Sequence, residues 1–268
     1  MKFPILLPNI FDHPFTYESD KNLKVGDYVK VPFGKSKITG VVWNEFEKKN
    51  SKNFKLKTVL KKLNVTPLKE TTIKFLNWFA EYNIIPKGMA LKLVLLSNNA
   101  VEKFQNDTFK DFNTDIKTNL IQLSEEQKNS LKKMNISNDK FRVHVLQGTT
   151  GSGKTMVYFE ALREILNKGF QGLILLPEIG LTGEFEKKFT EFFGFIPAVW
   201  HSGITKKKKE IIWSGIANGE ITVVIGARSS LFLPFKKLGL IIVDEEHDQS
   251  YKQDEGVIYN ARDMAISR

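Results

Sequence analysis

The sequence has no cysteine, which removes disulfide scaffolds, thiolate zinc sites and cysteine nucleophiles from consideration over this span. Histidine is nearly as scarce, and His13, His144, His201 and His247 are too dispersed to suggest a metal cluster. Arginine is missing from residues 1–105, where all 18 basic residues are lysine, set against 9 acids. Long apolar runs are missing too. The opening MKFPILLPNIFDHPF carries prolines and acids instead of a hydrophobic stretch followed by small residues, so neither a secretory leader nor a membrane span is expected. The expectation is a cytoplasmic protein with no membrane partner.

What is present is enough for a globular fold. Of 268 residues, 41% are apolar and 26% charged, sufficient to bury a sizeable core. The net charge of +10 is uneven: residues 1–105 carry +9, while the remainder holds 22 basic and 21 acidic residues. A lysine-rich first part points to a polyanionic partner, although surface solubility accounts for such an excess equally well. The patterning changes with the charge. Short alternating runs broken by Gly and Pro give way to apolar strands alternating with helical stretches, so two domains are expected. The boundaries read as 1–100, a polar linker at 101–119, and 120–268.

In the first domain, DYVKVPFG (27–34) and KITGVVWNEF (37–46) read as two strands joined near Lys35, part of a small β barrel or sheet. Ile73, Leu76, Phe79 and Tyr82 recur at three-residue spacing within ETTIKFLNWFAEY, which predicts a helix over 70–82 laid against that sheet. After the linker, Ser124 and Gln127 in LSEEQKNSL have the spacing of a capping box that opens a helix.

The strongest chemical signal is FRVHVLQGTTGSGKT, a strand-like run followed by Gly148, Thr149, Thr150, Gly151, Ser152, Gly153, Lys154 and Thr155. This is the full phosphate-loop pattern, and MVYFEALREILNKG continues it as a helix that ends near Gly169. Small residues let several backbone N–H groups converge on one anion, Lys154 brings positive charge to the outer phosphates, and Thr155 offers its hydroxyl to Mg2+. Further strands are expected at QGLILLP (171–177), ITVVIG (221–226) and LGLIIV, whose uniform apolar character fits a parallel sheet covered on both faces. The last of these leads into Asp244 and Glu245, at the strand end where ligands of an open α/β sheet bind. Asp244 is the expected holder of magnesium-bound water, and Glu245 the expected group to orient or deprotonate the attacking water. The residues alone thus predict an NTPase lobe.

Such sites serve transporters, kinases, helicases and remodellers alike, but Asp244-Glu245-Glu246-His247 resembles the DEEH box of superfamily 2 helicases. GTTGSGKTMVYFEAL, LLPEIGLT, HSGIT, VVIGARSSLFLPF and LGLIIVDEEHDQSYKQDEG resemble, in this order, the helicase core of the PriA family of primosomal replication restart helicases. ILLPNIFDHPFTY, LKVGDYVKVPFGKSKITGVV, LKTVL and FLNWFAEYNIIPKGMALKLVL resemble that family's domain for the 3′ end of a leading strand. The resemblance implies an α/β fold: a RecA-like P-loop NTPase lobe with a parallel sheet, preceded by a small β-rich DNA-binding domain.

It also implies an ATP-dependent 3′-to-5′ DNA helicase that recognises stalled or abandoned replication forks and single-stranded DNA, with ATP and Mg2+ as cofactors. Primosome proteins, a replicative helicase loader and single-stranded DNA-binding protein are the implied partners. Phe15, Thr16, Tyr17, Gly34 and Lys57 are the implied lining of a 3′-end pocket, and Gln127 matches an adenine-contacting position in addition to its capping role. His247 is implied to couple nucleotide state to DNA. Tyr251, Lys252, Gln253 and Tyr259 fall in the family's aromatic-rich loop, where aromatic rings can stack on bases. Arg228 and Ser229, just after a strand, are candidates to hold a single-strand phosphate, with a structural ion pair the alternative for Arg228. The family's third motif, second lobe and cysteine-rich zinc region find no counterpart up to Arg268. The expectation for these 268 residues alone is nucleotide and DNA binding without unwinding.

Overall fold

The computed structural model describes residues 1–46, 56–95, 101–102, 122–136, 140–149, 151–177, 180–181 and 183–268. Most of the expected linker and Thr150 lie outside the described residues.

The first domain is built on β1 (Lys2–Leu6), β2 (Phe15–Glu18), β3 (Tyr28–Phe33), β4 (Ser36–Val42), β5 (Lys57–Thr58) and β6 (Lys61–Lys62). Their order in the sheet is β5-β2-β1-β4-β3-β6. The β3–β4 hairpin turns at Gly34 and Lys35, as expected near Lys35, with Phe33 opposite Ser36. Gly34 supplies the positive φ, 58°, that this tight turn requires. The segment from β5 to β6 runs from one sheet edge to the other: Val59 N–H donates to Glu18 O and Leu60 N–H to Lys30 O. The sheet therefore curls round Ile5, Tyr17, Val29, Val31, Val42 and Val59, which form one buried cluster.

Helix α1 (Glu70–Tyr82) forms over the expected residues and buries Ile73, Phe75, Leu76 and Phe79, whereas Tyr82, at the end of the expected apolar stripe, is exposed. A second helix, α2 (Lys87–Leu95), follows it. Val101 and Glu102, expected in the linker, are helical. Glu102 is tied back to the barrel by Lys30 and Thr39.

The remaining helices are α3 (Glu125–Met134), α4 (Lys154–Asn167), α5 (Gly183–Phe193), α6 (Lys206–Asn218) and α7 (Ala261–Ser267). The lobe's sheet contains β7 (Gln171–Leu175), β8 (Ala198–Trp200), β9 (Val223–Gly226) and β10 (Leu238–Val243), in the order β10-β7-β9-β8. Every pairing in it is parallel. Successive β7 residues face opposite sides, so Ile174 packs with Phe159, Phe189 and Phe193 of α4 and α5, while Leu173 and Leu175 pack with Ile212, Trp213 and Ile216 of α6. The strands β11 (Lys252–Gln253) and β12 (Tyr259–Asn260) form a small antiparallel ribbon beyond β10.

The strand expected at FRVHVL does not form. Residues 141–149 have no regular structure, and Phe141, Val143 and Val145 are exposed. Arg142 and His144 alternate with the apolar residues, so one face of such a strand would be largely polar. A strand in a sheet covered on both sides needs apolar residues on both.

The cluster that contains α6 continues into the first domain, taking in Tyr28, Trp43, Phe75, Phe79, Leu91 and Val94. Trp213 Nε1 donates to Val94 O at 2.8 Å in a buried setting. Thr66 Oγ1 donates to Asn218 Oδ1 at 2.7 Å, and Arg268 donates to Thr72 Oγ1 at 3.0 Å.

Candidate nucleotide and nucleic-acid sites

The phosphate loop leads into α4 through two glycines in the left-handed region, Gly151 (φ 81°) and Gly153 (φ 79°). Gly153 occupies the N-cap position and, having no side chain, leaves the first N–H groups of α4 without a side-chain cap from that position. Those donors and the helix dipole make the loop suited to an anion. Lys154 Nζ donates within the loop to Gly148 O at 2.7 Å and Thr149 O at 3.1 Å. Its positive charge thus lies inside the turn that would receive phosphates.

Gln127 reaches the same loop. Its capping box is complete, with Ser124 N–H donating to Gln127 Oε1 at 2.9 Å and Gln127 N–H to Ser124 Oγ at 3.2 Å. The free end of the amide, Nε2, lies 3.4 Å from both Ser152 O and Gly153 O. The capping role and a position beside the nucleotide loop are therefore compatible in one side chain.

Asp244 follows the C-terminal end of β10, and its N–H donates to Leu175 O. Its Oδ1 accepts the Glu245 N–H at 3.0 Å, and its Oδ2 accepts the Tyr158 hydroxyl at 2.8 Å. Tyr158 stands on α4 one helical turn after Thr155. The helix that begins at the phosphate loop is therefore hydrogen-bonded to the acidic box, although Thr155 and Asp244 are 89 positions apart in the chain. Sequence reasoning gave Tyr158 no role. Its place three residues after Thr155, on the same helix face, was the available signal.

Thr155 and Asp244 offer only hard oxygen donors, the chemistry that suits Mg2+. Burial and the adjacent Asp244 carboxylate push the Tyr158 hydroxyl far above the usual tyrosine range, so it remains a donor. Glu245 takes φ 46°, unusual for a residue with a side chain, and His247 Nε2 lies 3.7 Å from its carboxylate. Both side chains are exposed.

The expected aromatic-loop residues divide. Lys252 is exposed and Gln253 half-buried. Tyr251 and Tyr259 are not available as stacking faces, contrary to expectation, because only 1% and 4% of their surfaces are exposed. The Tyr251 hydroxyl shares its hydrogen between Leu175 O at 2.9 Å and Asp244 O at 2.5 Å, fastening the loop to the strand ends. The Tyr259 ring sits 5.6 Å from that of Phe79 and 5.2 Å from that of Phe232, inside the contact with α1. Among the described residues Arg228 does not form the alternative structural ion pair. Its Nη1 donates to Ser250 O at 2.9 Å and Lys252 O at 2.8 Å, so it supports the aromatic loop through backbone carbonyls. Ser229 Oγ accepts from Trp200 Nε1 at 3.1 Å, yet the residue remains exposed.

In the first domain the pocket residues expected from the resemblance are neighbours. Tyr17 pairs with Lys57 across β2 and β5, and the Tyr17 hydroxyl donates to Pro32 O at 3.0 Å. The Phe15 ring lies 5.2 Å from that of Phe33, which precedes Gly34, and Phe11 and His13 extend this aromatic group. Thr16 is half-buried between Phe15 and Tyr17, while Lys57 is exposed.

Comparison with known proteins gives two family matches: a 3′ DNA-binding domain over residues 4–96 and a DEAD/DEAH box helicase over residues 114–266. The replication restart protein PriA of Rickettsia conorii is 42% identical over 266 residues, covering 98% of this chain and 40% of that protein. The PriA of Haemophilus influenzae is 30% identical over 334 residues, covering 97% of this chain and 46% of its own. The Bacillus subtilis PriA is 39% identical over 169 residues, or 62% of this chain and 20% of that protein. The chain thus spans about 40% of the length of the Rickettsia relatives it matches. Among the described residues, no helix is long and apolar enough to cross a membrane.

Proposed function

We propose, for a chain that belongs to the DEAD/DEAH box helicase family and matches the N-terminal part of the PriA replication restart proteins, that it is the fork-recognising and nucleotide-binding portion of an ATP-dependent 3′-to-5′ DNA helicase. It would recognise stalled or abandoned replication forks and start primosome assembly. The observation that carries the motor part is the hydrogen bond from Tyr158, on the helix that begins at the phosphate loop, to Asp244 of the acidic box. The grouping of Phe15, Tyr17, Gly34 and Lys57 on a lysine-rich barrel supports the 3′-end part.

In this reading, the loop N–H groups and Lys154 hold the ATP phosphates, Thr155 and Asp244 hold Mg2+, and Gln127 faces the adenine. When bound, Mg2+ supplies Lewis-acid stabilisation of charge on the transferred phosphoryl group. Glu245 orients and deprotonates the attacking water, and His247, in contact with it, links that step to DNA. Arg228 and Ser229 contact single-strand phosphate directly or through the loop that Arg228 supports, with Lys252 and Gln253 at its exposed edge. A replicative helicase loader, single-stranded DNA-binding protein and other primosome proteins are the proposed partners.

A narrower reading, a fork- or 3′-end-binding protein that holds nucleotide without unwinding, draws on the concentration of positive charge in residues 1–105. Fork binding and ATP turnover of the same polypeptide separate the two. The helicase reading expects turnover stimulated by forks with a free leading-strand 3′ hydroxyl, with a 3′ phosphate weakening binding. Strong fork binding without turnover, surviving Lys154→Ala, favours the narrower reading. Equal stimulation by RNA alone overturns the DNA assignment.

A further inference from the structure

Tyr158 is 7% exposed, and its ring packs edge-on against Phe159 with centroids 5.3 Å apart. The ring is fixed by its neighbours, so the hydroxyl has a defined position. The hydroxyl donates to Asp244 Oδ2 at 2.8 Å from a position one helical turn after Thr155 on α4. Asp244 is held at both oxygens, by Tyr158 on Oδ2 and by the Glu245 N–H on Oδ1. Its carboxylate plane is therefore set before any metal arrives, with acceptor capacity left on each oxygen.

We propose, on the reading that this is a Mg2+–nucleotide site, that Tyr158 is a positioning residue for the metal. Its hydroxyl orients the Asp244 carboxylate from the same helix that carries Thr155, while the loop and Lys154 hold the nucleotide phosphates independently of it. Groups that orient metal ligands from behind typically change metal affinity by about 10–100-fold when removed. A phenylalanine at this position keeps the packed ring and loses only the oxygen.

The test is titration of the full chain with ATP, once with excess Mg2+ and once in EDTA, for the unaltered protein, Tyr158→Phe and Lys154→Ala. Each protein is also melted without ligand. For Tyr158→Phe, affinity in EDTA is expected within about twofold of the unaltered protein, while the gain on adding Mg2+ shrinks about tenfold. Electron paramagnetic resonance of Mn2+ in place of Mg2+ is expected to show the same loss of bound cation. An unchanged Mg2+-dependent gain, an equal loss of ATP affinity in both conditions, or a Tyr158→Phe protein that melts far below the parent overturns the positioning role. An unaltered protein whose ATP affinity ignores Mg2+, or ATP binding that survives Lys154→Ala, overturns the underlying nucleotide-site reading and the proposal with it.

Discussion

Glu245 holds φ 46° at the point where β10 gives way to the acidic turn. A non-glycine residue in this region costs roughly 1 kcal/mol or more, and such strain persists where the surrounding structure or a function requires it. The residue also stands between two other acids, Asp244 and Glu246. Asparagine tolerates the left-handed region and removes one of three adjacent negative charges. Glu245→Asn is therefore expected to stabilise the fold by about 1 kcal/mol, a rise of about 2–4 °C in melting temperature for a chain of this size. ATP binding should persist and turnover, where it is measured, should fall. A melting temperature below that of the unaltered protein would show that the carboxylate itself stabilises the turn.

Glu102 makes a second prediction at the same scale. Partial burial pushes its carboxyl upward, but hydrogen bonds from Lys30 and Thr39 and the positive charges of Lys30 and Lys61 outweigh this and hold it below the usual range. A carboxyl depressed in the folded state stabilises above its unfolded value and loses that contribution as pH falls through the folded one. Because the site is partly solvated, the effect is small. Glu102→Gln is expected to be less stable than the parent at pH 7 by about 0.5 kcal/mol, with the gap closing below about pH 4. Melting curves of both proteins across that range check the sign.

Among the elements, the phosphate loop and α3 are locked together more tightly than the loop motif alone implies. A Cβ at Gly153 would lie 2.3 Å from Gln127 Nε2, and Gln127 cannot swing away without releasing its capping box. Gly153→Ala combines that clash with the cost of a left-handed alanine, about 1–2 kcal/mol. It is expected to lower stability by about that amount and to weaken ATP binding. Adding Gln127→Ala should recover part of the stability by removing the clash, without restoring ATP affinity. Full additivity of the two losses would mean that the residues do not meet.

Elements were legible from sequence where the signal was local. Helix α1 was readable because its apolar spacing marks the face it buries, and the α3 start because Ser124 and Gln127 bond each other. Strands β7, β9 and β10 were readable because uniform apolar runs suit a sheet covered on both sides. FRVHVL differs from expectation because strand propensity says nothing about whether a pairing edge accepts an alternating polar face. Tyr251 and Tyr259 were misread because a polar, glycine-containing segment suggests exposure, whereas the groups that bury Tyr259, Phe79 and Phe232, are 180 and 27 positions away. Tyr158 was passed over because a tyrosine inside a helix resembles core until its hydroxyl is seen to end on Asp244.

For the molecule as a whole, the consequential feature is a hydrophobic cluster that ignores the expected domain boundary. Tyr28 meets Trp213 at 5.9 Å, Phe79 meets Phe232 at 5.0 Å, and Trp213 donates its indole N–H to Val94 O. Separating the barrel from the lobe would expose these aromatics and break a buried hydrogen bond, so neither half can melt while the other keeps its packing. The chain is expected to unfold in one calorimetric transition despite its two-part organisation. Trp213→Phe should lower that transition as a unit, by about 1 kcal/mol for the lost hydrogen bond to Val94 O, with a further loss from the smaller ring. By linkage, a ligand at either end should raise the same transition: a 3′-ended oligonucleotide on the barrel or Mg2+–ATP on the lobe, each by about 2.7 kcal/mol at a hundredfold excess over its dissociation constant. Two resolved transitions, with the oligonucleotide moving one and ATP the other, would show that the barrel and lobe are energetically independent. A single shifted transition would mean that 3′-end occupancy and nucleotide binding act on one cooperative body.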